Sequence, residues 1–189
     1  MKPGTGFAGV WVCGVVMLCC ACEVGASGPT PVSTLPSATG WHQPVARPAK
    51  TQGWLRVYRG SVPVDQTHAV QLTAIGDPAV GQHVSAALGR SLYRFDGDGV
   101  SPPASTCVGE CAGKWPGLLV RRDQVVYAAG VDPQLVGYTQ RPDGAYQVTI
   151  GGRPVYYFAE DRKAGDVRGH GIDNMWFAVS PSGAKAMAG

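Results

Sequence analysis

The sequence has little charge, few aromatic rings and no sustained helical pattern. Only 15% of its 189 residues are charged and 8% are aromatic, and no segment repeats apolar residues at helical spacing over several turns. A helical bundle is thereby excluded. Lys and Arg number 16 against 13 Asp and Glu, interleaved and without a basic run, so the electrostatic footprint of a nucleic-acid binder is missing. There is no Gly-x-Ser-x-Gly and no Cys-x-x-Cys-His, which removes the signatures of a nucleophile elbow and of covalently attached haem. No apolar run reaches the roughly 20 residues that span a bilayer comfortably. What the chain does have is 27 glycines and 15 prolines, the composition of a turn-rich protein built from short strands.

The N-terminal part reads as an export signal. Lys2 precedes an apolar stretch from Phe7 to Ala21 that ends in small residues, the charge, core and cleavage pattern of a signal peptide over 1–21; an uncleaved anchor is the alternative. Leu18-Cys19-Cys20-Ala21-Cys22 places a small residue before a cysteine, so Cys22 is the expected lipidation site, with Cys20 as rival and an unlipidated secreted form also open. Acylation there makes the membrane the first expected partner, because each buried methylene adds about 0.8 kcal/mol of anchoring and more than one chain is attached. Residues 22–53 are dominated by Gly, Ser, Thr, Pro and Ala, too few apolar groups to offset ordering entropy, and read as a flexible linker.

The remainder, 54–183, is expected to be one β-rich domain, with 184–189 as a tail. It contains an internal duplication. Gly89-Arg90-Ser91-Leu92-Tyr93-Arg94-Phe95-Asp96-Gly97-Asp98 recurs 63 positions later as Gly152-Arg153-Pro154-Val155-Tyr156-Tyr157-Phe158-Ala159-Glu160-Asp161. Each block follows a short β-like run, 83–87 and 146–150, and begins at a turn. Gly151-Gly152 is a hairpin signal because both residues tolerate positive φ; Leu88-Gly89 is its weaker equivalent. On a strand of period two, Tyr93 and Phe95 share a face, as do Tyr156 and Phe158. The aromatics therefore predict a packed core or a stack across a pseudo-symmetric seam. Asp98 and Asp161 fall at strand ends, where a carboxylate accepts backbone N–H groups; metal or catalytic service is the sharper alternative. Each repeat, about 82–120 and 144–181, runs on to a tryptophan, Trp115 or Trp176, expected to anchor the core. Strands are also expected over 54–59 and 68–74, and one short helix over 110–114. The expected fold is all-β and mainly antiparallel: a small pseudo-two-fold β-sandwich or barrel-like domain from two tandem hairpin repeats.

Cys107 and Cys111 are the two cysteines of this domain. In an oxidising compartment they most simply form a disulfide, provided the backbone bends near Gly109. A thiolate site for copper, zinc or haem is the alternative, and it would need His170 or Met175 to fold over the cysteine loop. The other candidate surface is the loop 161–171, whose Lys163, Asp166, Arg168 and His170 join both charge signs to flexible glycines; an ordinary solvated loop is the competing reading.

These residues resemble the bacterial secreted-repeat lipoproteins that carry a Tyr-x-aromatic-x-x-Asp motif. The likeness rests on Leu92-Tyr93-x-Phe95-x-x-Asp98, Cys107-x-x-x-Cys111 and Trp115-Pro116 in the first repeat. In the second it rests on Asp143-Gly144, Gln147-Val148, Gly152-x-Pro154-Val155-Tyr156-x-Phe158-x-x-Asp161, Lys163-x-Gly165-Asp166 and Trp176 with Ser180-Pro181. Ala164 and Asn174-Met175 depart from the usual pattern. The resemblance implies export and residence in the envelope, and it carries over no catalytic residue. The function expected is a non-enzymatic binding or scaffolding lipoprotein with an envelope protein as partner and no cofactor. A redox or metal-handling domain using Cys107 and Cys111 is the alternative, and an enzyme acting on envelope polymers through the duplicated carboxylates is a distant third.

Overall fold

The structure, a computed structural model, describes residues 46–189. The expected signal peptide, Cys22 and the linker up to residue 45 lie outside the described residues. The described residues form twelve strands and one short α-helix: β1 (Lys50–Gln52), β2 (Leu55–Arg59), β3 (Ala69–Asp77), β4 (Gly81–Ser85), β5 (Tyr93–Phe95), β6 (Gly99–Val100), β7 (Pro103–Ala104), α1 (Glu110–Lys114), β8 (Val125–Ala129), β9 (Val136–Gln140), β10 (Tyr146–Ile150), β11 (Arg153–Tyr156) and β12 (Trp176–Ala178).

Ten of the strands make two five-stranded sheets, ordered β1-β2-β8-β3-β4 and β12-β5-β11-β10-β9, and β6 pairs with β7 as a separate hairpin. The second sheet is antiparallel throughout. In the first, β8 runs parallel to both β2 and β3. The expected mainly antiparallel β-fold is present, and the sheets do not close into a barrel. They share a core in which Leu55, Val57, Leu72, Val84 and Val126 of one sheet meet Val136, Val148, Ile150 and Val155 of the other. All nine are fully buried, and each such side chain contributes about 1.5–3 kcal/mol of transfer free energy.

Local sequence explains the two hairpins. Gly151 and Gly152 have φ of +58° and +76°, and Leu88 and Gly89 have +59° and +69°. Successive positive φ values turn the chain in the sense that matches strand twist. Leucine is strained at such a position, and Leu88 is also exposed.

Two expectations need correction, and two strands are additions. The linker ends before residue 53, because Lys50–Gln52 pairs with β2 and Lys50 Nζ donates to the carbonyls of Gln134 (2.8 Å) and Val136 (2.6 Å). The tail is not free: Val179 and Lys185 form a bridge, Ala186 N donates to Ala178 O and Ala186 is buried. Strands β8 and β9 escaped the pattern reading. Val125–Ala129 carries a run of apolar residues and lies between two parallel neighbours, and a strand covered on both faces shows no alternation.

Candidate functional site

The two repeats meet along a pseudo-two-fold axis, and the duplicated residues line it. On antiparallel strands β5 and β11, Tyr93 is paired directly with Tyr156, so each motif tyrosine faces its own counterpart. Their hydroxyls cross over. Tyr93 donates to Asp161 Oδ2 at 2.7 Å, and Tyr156 donates to Asp98 Oδ2 at 2.7 Å. Each tyrosine thus serves the aspartate of the other repeat. The carboxylates also do the local work expected at a strand end: Asp98 accepts from Thr106 N and Oγ1, both 2.8 Å, and Asp161 accepts from Arg168 N at 3.1 Å.

The tryptophans follow the same rule of exchange. Past Trp115, Leu118 N donates to Val155 O and Leu118 O accepts from Val148 N, inside the second repeat's hairpin. Past Trp176, Val179 N donates to Leu92 O and Val179 O accepts from Val84 N, inside the first. Each repeat therefore completes the hairpin of its sister. The indoles of Trp115 and Trp176 stack with centroids 3.9 Å apart and planes 1° from parallel. Phe95 stacks on Trp176, and Phe158 lies against Trp115 with its plane tilted by 31°, each at 4.4 Å, so the four rings form one cluster. Tyr93 and Tyr156 meet the tryptophans edge-on at 5.4 and 5.2 Å. Tyr93, Tyr156, Phe158, Trp115 and Trp176 are buried, and Phe95 is partly buried. These side chains form interior packing rather than the walls of an open pocket.

Burial governs the acid–base character of the seam. It is the largest cause raising the carboxyls of Asp98 and Asp161 above their ordinary value, with hydrogen bonds from Tyr156 and Thr106, or from Tyr93 and Arg168, acting the other way. Burial, then the neighbouring carboxylate, also pushes the Tyr93 phenol up. For Tyr156 burial is again the largest cause, with Asp98 adding to it and Ser105 opposing. A phenol held in its neutral form donates permanently, so the seam is a fixed hydrogen-bond lock.

One end of the lock extends into a buried chain that sequence reasoning missed. Arg141 Nη1 donates to Ser105 Oγ at 2.8 Å, and Ser105 Oγ lies 2.8 Å from the Tyr156 hydroxyl. Because the tyrosine proton goes to Asp98, the serine must donate to the tyrosine, and the bonds run in one direction from Arg141 to Asp98. Arg141 also donates to Gln147 Oε1 (2.6 Å), Cys107 O (3.0 Å) and Asp143 Oδ2 (3.2 Å). Its side chain is 4% exposed. An arginine in an Arg-Pro-Asp-Gly turn reads as solvated, so nothing local marks it as interior. Ser105, Arg141 and their neighbours Ala104, Gln140, Pro142 and Gly144 line an open depression of about 430 Å³.

Cys107 and Cys111 form a disulfide with Cα atoms 5.3 Å apart. Gly109, at φ +60° and ψ −130°, makes the bend and stands at the start of α1. Both sulfurs of the thiolate alternative are bonded to each other. His170 Nδ1 accepts from Ala178 N at 3.3 Å and its ring packs edge-on against Phe177; burial lowers its pKa. Among the described residues no group of three or more His, Cys, Asp or Glu is placed to hold a metal ion. In the 161–171 loop, Asp166 Oδ2 accepts from Arg162 N and Lys163 N at 2.9 and 3.1 Å, leaving the Lys163 and Arg168 side chains exposed. Asp166 thus shapes the loop, while Lys163 and Arg168 are presented by it.

A family model described as a secreted repeat of unknown function matches residues 74–118 and 137–180. Neither a curated protein nor a solved structure matches the chain. Among the described residues no helix is long and apolar enough to cross a membrane.

Proposed function

From a chain that belongs to the secreted-repeat family and carries two copies of its repeat, we propose that the protein is a non-enzymatic binding or scaffolding module of the cell envelope. Lipid at Cys22 holds it to the membrane, and the 161–171 loop meets an envelope protein. Family membership supports export. The observation that carries the non-enzymatic reading is the exchange of Tyr93 and Tyr156 with Asp161 and Asp98. The duplicated carboxylates, the residues most suggestive of acid–base chemistry, are committed to joining the repeats. A general acid or base must reach its substrate, and these two are buried.

The exposed charges of Lys163 and Arg168 sit on a backbone that Asp161 and Asp166 hold in place. A rigid loop loses little conformational entropy on binding, which favours recognition. The test is affinity capture of the tagged full chain from cross-linked native membranes, beside a Lys163→Glu/Arg168→Glu variant and a Cys22→Ala variant. The proposal expects a defined protein captured by the wild type and lost with the charge-reversed loop, and it expects Cys22→Ala to leave the membrane fraction. Identical capture by wild type and charge-reversed protein would count against the loop, and retention of Cys22→Ala in the membrane against the anchor.

A further inference from the structure

The pseudo-two-fold axis supplies an internal control for each residue, and at one place the two halves differ in charge. Arg90 and Arg153 are equivalent positions of the duplicated block. In the first half Arg90 is fully accommodated: its guanidinium lies 4.3 Å from the centre of the Tyr157 ring, and Nη2 donates to Phe158 O at 3.3 Å. The position equivalent to Tyr157 is Arg94. Arg153 therefore meets a second guanidinium where its counterpart meets an aromatic face, and among the described residues it makes no ion pair or side-chain hydrogen bond.

Arg94 is itself under-satisfied. Its side chain is 9% exposed; Nη2 donates to Asp96 Oδ1 at 2.6 Å, Nη1 reaches Gly183 O at 3.3 Å, and the buried Nε has no partner. The other oxygen of Asp96 is taken by Lys185 Nζ at 2.8 Å, which also lies 3.7 Å from the centre of the Phe177 ring. Arg94 and Lys185 thus divide the carboxylate of Asp96 between them, and it makes no ion pair with Arg153. Asp98, two residues further along the chain, is committed to Tyr156 and Thr106. The antiparallel register of β5 and β11 carries Arg153 opposite Asp96, two residues beyond the Arg94–Val155 pair. Burial and then repulsion from Arg94 lower the pKa of Arg153, the mark of a cation short of counter-charge. An unpaired, partly desolvated guanidinium beside another is costly unless an anion joins them.

We infer that Arg94, Arg153 and Lys185 form a binding site for an oxyanion, specifically a phosphate monoester group. Two guanidinium forks and an ammonium offer several N–H donors to one centre, the arrangement that suits bidentate contact with phosphate oxygens. A phosphate monoester carries about 1.5 to 2 negative charges at neutral pH, enough to offset the surplus that Asp96 leaves. Arg94 lies on the opposite face of β5 from Tyr93, and the inference holds whether or not the 161–171 loop binds a partner.

The test uses the full chain, isotopically labelled, titrated with inorganic phosphate while amide resonances are followed at constant ionic strength. Saturable shifts should cluster at residues 94–96, 153 and 183–185. Arg153→Gln should weaken binding at least tenfold, Arg153→Lys should retain part of it, and Arg90→Gln should bind as the wild type does. Thermal unfolding of each variant verifies that it is folded. Competition by phosphatidic acid vesicles, absent with phosphatidylcholine vesicles, would assign the phosphate to a lipid headgroup, and lack of competition would assign it to a soluble ester. Equal shifts with sodium chloride, or undiminished binding by folded Arg153→Gln, would overturn the site.

Discussion

If the motif tyrosines join the repeats, each must be energetically coupled to the aspartate of the other repeat and not to its own. The decisive perturbation is a pair of double-mutant cycles built on Tyr156→Phe. Removing this hydroxyl takes away the 2.7 Å bond to Asp98 and the 2.8 Å contact with Ser105, and leaves a 6% exposed carboxylate one donor short. A hydrogen bond to a charged group is worth about 1.5–3 kcal/mol, so a loss of about 2 kcal/mol is expected. For a domain of this size that corresponds to a fall of roughly 6 °C in Tm. Urea unfolding read by tryptophan fluorescence measures it, with an unchanged m-value verifying two-state behaviour. Combined with Asp98→Asn, the second change should cost much less than it does alone, a coupling of about 1 kcal/mol or more; combined with Asp161→Asn the two should add within roughly 0.5 kcal/mol. Tyr93→Phe should give the mirror result. Coupling of Tyr156 to Asp161, within its own repeat, would refute the exchanged arrangement.

Three other outcomes follow from the same geometry. Burial raises Asp98 above its ordinary value of 3.8, so the folded state holds this proton more tightly than the unfolded chain; the resulting stabilisation is complete below the unfolded pKa and disappears as pH rises through the folded one. The stability of wild type relative to Asp98→Asn should therefore fall in urea titrations as pH rises from below the ordinary carboxyl value of 3.8 through the higher folded one, and a constant difference would contradict it. Opening the Cys107–Cys111 link, by reductant or by Cys107→Ser/Cys111→Ser, releases a five-residue loop and should cost about 2 kcal/mol on chain-entropy grounds, seen as a lower urea midpoint. At Gly109 an added Cβ meets open space, so Gly109→Ala should cost about 1–3 kcal/mol through its backbone angles alone; an unchanged midpoint would show that the bend is not needed.

The duplicated motif, its two hairpins and the short helix at 110–114 were legible because each is a local event. Period-two alternation puts Tyr93 and Phe95 on one face, glycines at 151 and 152 turn the chain, and cysteines four apart with Gly109 between them can close. Composition alone excluded a helical fold and a nucleic-acid surface. The partner of each residue was not legible. That Tyr93 reaches Asp161 rather than Asp98, that Trp115 stacks on Trp176, and that Arg141 is an interior donor depend on pairings between positions 36 to 68 residues apart. Local propensity carries no term for such contacts, because they form only when the sheets fix their register. The same holds for Arg90 and Arg153: identical in the sequence, they differ in the folded protein because one lies against tyrosine and the other against arginine.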